Sequence, residues 1–424
     1  MRSILLYPTL GIDGLVDENL SYATSLVDNV VLRAKHEDKR VDNLRNHIVV
    51  YGQYEIFKGL KFRTNFGFEF NSNRQTQWVP SYDRGYFSSA QANLWENFSR
   101  GRNYLIENTL SYNYEFELHQ FDVVIGQTAQ ENTSAYNNVQ GRDYLNEAIS
   151  VINGSDASRR LLSGSEYEYR LASYLGRINY NYANKYLIST SFRRDGSSNF
   201  GPKNKWGLFS SVSVGWNIAN ENFMEDAQSI TTLKLRGGWG RLGNDNIGSF
   251  GYLNIYQLGA FSNNYTLGTT EALQIGAALS TPVNPDLKWE TNEQINFGID
   301  ASFLDNKLYT TIEYYNKKTK DLLITIPVAI AAGFTSNPKI NGGEVLNRGL
   351  EFDIGFRDQI GDLSWSISGN ISTLYNEVLS LGGGEPIAGN SMYSSGMANT
   401  WTEEGDEIGY FQGYLKSAVI KLGF

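Results

Sequence analysis

The chain has 424 residues, with 27 Tyr, 22 Phe and 42 Gly against only 8 Pro, a mixture that favours strands and tight turns over helices. A formal net charge of -9 without any basic cluster argues against a nucleic-acid partner, and the absence of cysteine excludes a disulfide scaffold and a thiolate metal site. No stretch approaches the roughly 20 apolar residues of a spanning helix; the most apolar segment, 322–334, is interrupted by Pro327 and Gly333.

Residues 1–45 are polar and mixed in period, and read as loop with possible short elements. The opening MRSILLYPTLGIDG has Arg2 and a short apolar patch but no small-residue cleavage site, so it does not read as a signal peptide. Beyond this segment, alternation with a period of two dominates. It begins in 62–70 (FRTNFGFEF) and returns in 186–193 (YLISTSFR) and 208–217 (LFSSVSVGWN). In 294–303 Ile295, Phe297, Ile299, Ala301 and Phe303 share one face, opposite Gln294, Asn296, Gly298, Asp300 and Ser302. The stretches 350–357 and 363–372 repeat the pattern. About a dozen such strands are expected, many longer than those of globular sheets.

The connections alternate in length. Short ones at 57–59, 117–120, 183–185, 304–307 and 358–362 are separated by long ones at 72–99, 129–166, 243–288, 321–345 and 376–408. The segment after 193 and the segment 218–231 are intermediate. Tight turns at one end of a sheet and elaborate loops at the other are the layout of an outer-membrane barrel. Ser, Gly, Asn, Asp and Arg on one face suit a wet lumen, and Phe, Ile, Leu, Val and Trp on the other suit lipid. Tyr180, Tyr182, Tyr186, Trp206, Trp216, Tyr309 and Trp365 lie near strand ends, where interfacial girdles form. The competing fold is a one-sided soluble sheet.

Chemistry-bearing motifs are sparse. GWGRLG (238–243) matches a dinucleotide fingerprint in letters only, since no helical period follows it, and reads as glycines at a strand bend. His36, His47 and His119 are scattered, without metal or acid–base context. GNDNIG (243–248) lacks the spacing and bidentate Glu of a calcium loop and reads as an Asx turn. No catalytic, cofactor-binding or metal residues are assigned, and substrate-binding residues stay open. Aromatic and amide residues in 73–95 and 260–274 suit either a sugar or peptide ligand or the internal packing of the loops. The stretch FRRDGSSNFGPKNKWGLFSSVSVGW (192–216) reads as a hairpin between two strands.

Five ordered blocks carry a resemblance: 191–224, 233–248 (LKLRGGWGRLGNDNIG), 284–291 (NPDLKWET), 312–323 (IEYYNKKTKDLL) and 342–352 (GGEVLNRGLEF). Together with 54–70 they resemble the barrel of SusC/RagA-type TonB-dependent outer-membrane transporters, over most of residues 46–415. The resemblance implies an all-β, antiparallel transmembrane β-barrel of about 22 strands, closed by an N-terminal plug. It also implies import of glycans, peptides or other nutrients across the Gram-negative outer membrane, without catalysis. Implied partners are a SusD-like surface lipoprotein, the TonB-ExbB-ExbD complex acting through the plug, and outer-membrane lipid. No plug or TonB-contacting box is recognisable, so the expectation is a barrel portion of about 12–13 strands. Its expected organisation is 1–45 as loop or partial barrel segment and 46–424 as barrel domain, incomplete at both ends. The rival readings are an adhesin or receptor barrel without transport and a soluble β-rich carbohydrate-binding protein.

Overall fold

The computed structural model describes residues 34, 37–82, 89–227, 229–258, 264–269, 272–326, 328–334, 336–389, 398–415 and 418–422. Strand is the dominant element throughout. β1 (Asp38–Phe57), β2 (Leu60–Val79), β3 (Asn93–Phe116), β4 (His119–Arg142) and β5 (Leu161–Tyr182) are followed by β6 (Tyr186–Ser197), β7 (Trp206–Asn217) and β8 (Ile230–Asn244). Four short strands decorate the next connection: β9 (Tyr256–Leu258), β10 (Tyr265–Leu267), β11 (Ala272–Gln274) and β12 (Ala277–Leu279). β13 (Glu290–Phe303), β14 (Leu308–Thr325), β15 (Lys339–Ile360), β16 (Leu363–Ser372) and β17 (Tyr375–Ser380) complete the main sheet. A smaller sheet follows in β18 (Ile387–Ala388), β19 (Thr400–Thr402), β20 (Tyr410–Leu415) and β21 (Ala418–Leu422).

The main sheet has 13 strands in sequence order, from β1 through β8 directly to β13 and on to β16, with β17 also on β15. The ladders of the main sheet from β5 onward are antiparallel. The chain falls into two compact units. The first comprises Met1–Val50, Asn65–Ile106 and Gln130–Tyr169, and packs on buried Ala92, Leu94 and Tyr144, with Trp78 and Ile152 against them. The second comprises Tyr51–Thr64, Glu107–Ala129 and Arg170–Phe424.

The tight turns follow from their residues. Gly59 and Gly361 take positive φ at no steric cost. Asn184, Asp305 and Asn306 take it with side chains that tolerate the left-handed region. The register makes the two faces explicit. Ile188, Val214, Gly237, Phe297, Tyr314 and Leu350 are successive cross-strand partners on one face from β6 to β15. Tyr186, Trp216, Leu235, Ile299, Ile312, Phe352 and Ile371 form the parallel row nearer the short turns. Most of these large side chains are exposed, Val214 at 53% and Phe297 at 60%, on a face where water-soluble sheets bury them. The alternate positions carry Ser189, Ser213, Asn296, Glu313 and Glu351. An apolar face outside a polar one is the arrangement of a sheet that lipid covers.

Three features differ from the sequence expectation. β1 begins at Asp38, inside the segment read as loop. At the long-loop end the strands run further than alternation indicated: β2 continues to Val79, β4 to Arg142, and β3 starts at Asn93. These extensions are mostly polar with scattered apolar residues such as Trp78, Leu94 and Tyr136, so regular alternation is lost although the strands continue. Tyr309 does not join the apolar-face girdle, because it pairs with Ser302 and Gly355 on the polar face. The remaining girdle residues, Tyr180, Tyr182, Tyr186, Trp206, Trp216 and Trp365, lie on apolar-face registers.

Candidate functional site: a polar wall and a loop platform

The polar face of the second unit is built from alternate positions of β5 to β15. Across β6, β7 and β8 these positions are mostly small: Ser189, Ser191, Ser211, Ser213, Gly238 and Gly240. Larger amides flank them, Asn179 and Asn181 on one side and Asn292, Gln294 and Asn296 on the other. Low ground between taller ridges leaves a concavity of about 480 Å3 toward the short turns, lined in part by Asp122, Asn179, Ser189 and Lys234. A second, of about 380 Å3, continues toward the long loops and reaches Gln294 and Lys317. Ser213, Gly238 and Asn296 line both, so the two are stretches of one groove.

A charged knot sits beside the groove. Arg236 on β8 donates through Nε to Asp300 at 3.1 Å and through its other arm to Glu313 at 2.6 Å. Asn296 donates to the second oxygen of Glu313 at 3.2 Å, and Thr311 donates to Asp300 at 3.3 Å. The guanidinium is therefore held flat against the wall by two carboxylates on different strands. None of these residues was singled out in the sequence as a unit. The signal available was an Arg and two acids falling on the polar phase of three neighbouring strands.

Above β6 and β7 the loops form a fixed platform. Phe200 is fully buried and packs on Trp289 with ring centroids 5.2 Å apart, and Phe209 meets Trp289 edge-on at 5.3 Å. Ile247 and Leu287 complete the cluster. Polar contacts lock its rim: Trp289 Nε1 donates to the Lys205 carbonyl at 3.1 Å, Asn204 to the Asp286 carbonyl at 2.8 Å, and Lys339 to the Ile247 carbonyl at 3.0 Å. Below it Arg193 bridges Asp195 at 2.7 Å and Ser173 at 3.0 Å. The segment 192–216 is thus the hairpin its sequence suggested, with its bend serving as half of the platform.

The other motifs resolve locally. GWGRLG lies within β8, where Gly238 and Gly240 floor the groove, and the chain continues into loop. In GNDNIG the Asn246 amide donates to Asn244 Oδ1 at 3.1 Å, an Asx turn. His119 hydrogen-bonds Tyr180 at 2.9 Å, His47 lies in β1, and His36 is outside the described residues. Among the described residues no three His, Cys, Asp or Glu side chains are grouped to hold a metal. Of the loop aromatics, Trp78 packs edge-on against Tyr144 at 4.7 Å, a structural role in the first unit, whereas Tyr265 is 72% exposed. Residues 83–88, 259–263 and 270–271 of those loops are outside the described residues.

Comparison with known proteins gives consistent matches. A family model described as TonB dependent receptor-like, beta-barrel, matches residues 9–416. TonB-dependent receptor P3 of Formosa agariphila is 32% identical over 415 residues, covering 96% of this chain and 39% of that protein. TonB-dependent receptor SusC of Bacteroides thetaiotaomicron is 30% identical over 362 residues, covering 84% of this chain and 35% of that protein. The chain therefore spans well under half the length of these curated relatives. Among solved structures, the RagAB peptide transporter superposes with a TM-score of 0.82 at 24% identity, over 95% of this chain and 43% of that one. The siderophore receptor PiuA from Acinetobacter baumannii gives 0.50 at 11%, over 87% and 50%. At these identities the structural likeness speaks for the fold.

Proposed function

Because this chain belongs to the TonB-dependent receptor-like β-barrel family, we propose that it supplies barrel wall and external loops to a SusC-like nutrient importer of the Gram-negative outer membrane. The observation that carries the reading is the division of one antiparallel sheet into a largely apolar face and a polar face that holds a continuous groove. In this reading the apolar face meets lipid, the polar face lines the lumen, and residues 46–424 are barrel domain, with 1–45 contributing loop and the start of β1. Solute moves along the polar wall by exchanging hydrogen bonds, and no bond of the solute is made or broken. Energy comes from the TonB complex through a plug, and a SusD-like lipoprotein delivers solute to the long-loop end.

Serines, asparagines and glutamines line the groove, with Lys234 and Lys317 near its two ends. These groups match hydroxyl-rich and amide-rich solutes, the oligosaccharide and peptide classes. P3 and SusC are named as TonB-dependent receptors, and the RagAB neighbour is titled a peptide transporter. The test is uptake of fluorescent oligosaccharide and peptide panels by cells that carry or lack the gene, with and without a working TonB system. Energy-dependent uptake lost with the gene supports import. Surface binding that persists without TonB, with no internalisation, supports the receptor alternative instead.

A further inference from the structure

We propose that the apolar face carries, at its long-loop end, a binding belt for the phosphate-bearing headgroups of anionic lipid. It rests on the outer-membrane reading above but concerns the outside of the wall rather than the solute path. The belt follows from register. Arg241, Glu293 and Lys318 are direct cross-strand partners on β8, β13 and β14. One outward position further toward the loops lie Lys320, opposite Thr291, and Arg194, opposite Leu208. One position back lies Arg348, opposite Asn316, in the same row as Trp239 and Ile295. All of these share the phase of Val214, Phe297 and Ile312, so they continue the apolar face and do not enter the polar one. The three rows cover about 14 Å of strand.

Charge on this belt is unbalanced. Lys320 pairs with Glu293 at 2.6 Å and Lys318 with Glu344 at 2.8 Å. Glu377, opposite Leu346 in the row of Lys318, adds a third carboxylate and accepts from the Tyr375 hydroxyl at 3.0 Å. Five cations therefore meet three carboxylates, which leaves two positive charges in excess on a chain whose net charge is -9. Glu293 also accepts from Trp239 Nε1 at 3.0 Å, so it is already shared when Arg241 faces it. Arg194 lies over the Trp206 ring at 5.0 Å and Arg348 over the Tyr375 ring at 4.5 Å. Stacking fixes each guanidinium plane; Arg348 also shares a hydrogen bond with Tyr375, and Arg194 presents its N–H edge to take two phosphate oxygens. At the short-turn end Lys185 meets Glu221 and Lys307 meets Asp358, while Arg357, on the polar phase, donates to the Asn306 carbonyl. The excess is thus confined to one boundary of the apolar band, where a lipid headgroup and not a lipid tail would meet it.

The test uses protein extracted from its native membrane, in phosphatidylcholine micelles with or without phosphatidic acid, with bound lipid counted by native mass spectrometry. The intact protein should retain phosphatidic acid in preference to phosphatidylcholine. The triple variant Arg194→Ser, Arg241→Ser, Arg348→Ser should bind it at least tenfold more weakly. The triple variant Arg177→Ser, Lys234→Ser, Lys317→Ser removes the same charge from the opposite face and should retain it unchanged. Equal loss in both triples, or no preference in the intact protein, overturns the belt. Heat-modifiable migration of the same samples reports the membrane barrel separately, so a folded barrel without lipid preference refutes the belt alone.

Discussion

Arg236 and Glu313 are bound to each other although their strands, β8 and β14, are not neighbours. Between them runs β13, and the residue directly opposite both is Gly298. A Cβ on Gly298 would lie 2.5 Å from the Arg236 guanidinium carbon, so the ion pair passes over the one residue too small to obstruct it. Gly298→Val is expected to lift Arg236 off the wall and to separate it from Glu313. Arg236→Ala leaves Asp300 and Glu313 facing each other and should cost about 1–2 kcal/mol, less than a fully buried pair because the side chain is 27% exposed. Arg236→Ala, Glu313→Gln should recover part of that loss. Guanidinium melts of the detergent-solubilised protein measure all three.

The apolar face gives a sharper contrast. Val214 and Ser213 are adjacent in β7 but point to opposite faces. Val214→Lys should cost about 2–4 kcal/mol if the residue sits near the bilayer midplane, whereas Ser213→Lys should cost little. The fraction refolded into vesicles, read from the heat-modifiable band, distinguishes them. Equal costs would deny that the two faces meet different solvents.

Phe200→Ala should loosen the loop platform, removing the centre of the Phe200, Phe209 and Trp289 cluster. A fully buried Phe is worth about 3–5 kcal/mol to the unit that contains it. The strands below keep their own ladders, so the loss should appear locally, as protease cleavage in 198–205 and 284–289. The barrel band should be unchanged. Global unfolding instead would mean that the platform and the strands form a single cooperative unit.

Tyr309 lies across Gly355, where a Cβ would meet its ring at 2.2 Å. Gly355→Val should destabilise by about 1–3 kcal/mol through overpacking. The second change Tyr309→Ala should relieve most of it, and a double-mutant cycle reads the coupling.

The turn after β7 should respond to acid. The Trp216 indole first, then the Tyr186 hydroxyl and the Lys185 ammonium, hold the Glu221 carboxyl below its ordinary value of 4.5. A depressed carboxylate contributes stability above its ordinary value, and this is lost as pH falls through the lower, folded one. Hydrogen exchange in 218–230 should therefore rise below about pH 4.5. In Glu221→Gln the exchange should already be fast at neutral pH and indifferent to acid. Unchanged acid sensitivity in that variant would remove Glu221 from the explanation.

Strand alternation was legible in the sequence because a sheet between water and lipid repeats its contrast at every second residue. Ile295, Phe297 and Ile299 declared one face without help from any neighbour. The groove was less legible, since it depends on register: Ser213, Gly238 and Asn296 are ordinary polar-phase residues until pairing lines them up. The Arg236 knot was hidden for the same reason. The full length of β3 and β4 was hidden for the opposite reason: in their outer parts apolar residues such as Leu94, Trp95 and Tyr136 are scattered among polar ones without a regular period of two.

In the proposed importer, those long strands set what an arriving solute first meets. β3 and β4 have 24 residues each, against roughly 9–11 for a membrane crossing. More than half of each strand is thus hydrogen-bonded framework standing in water. A flexible loop must be ordered when it closes on a ligand, at a cost of about 1–2 kcal/mol per residue fixed. Here most of that ordering is complete before any ligand is present, so capture at this rim draws on a surface already stiff.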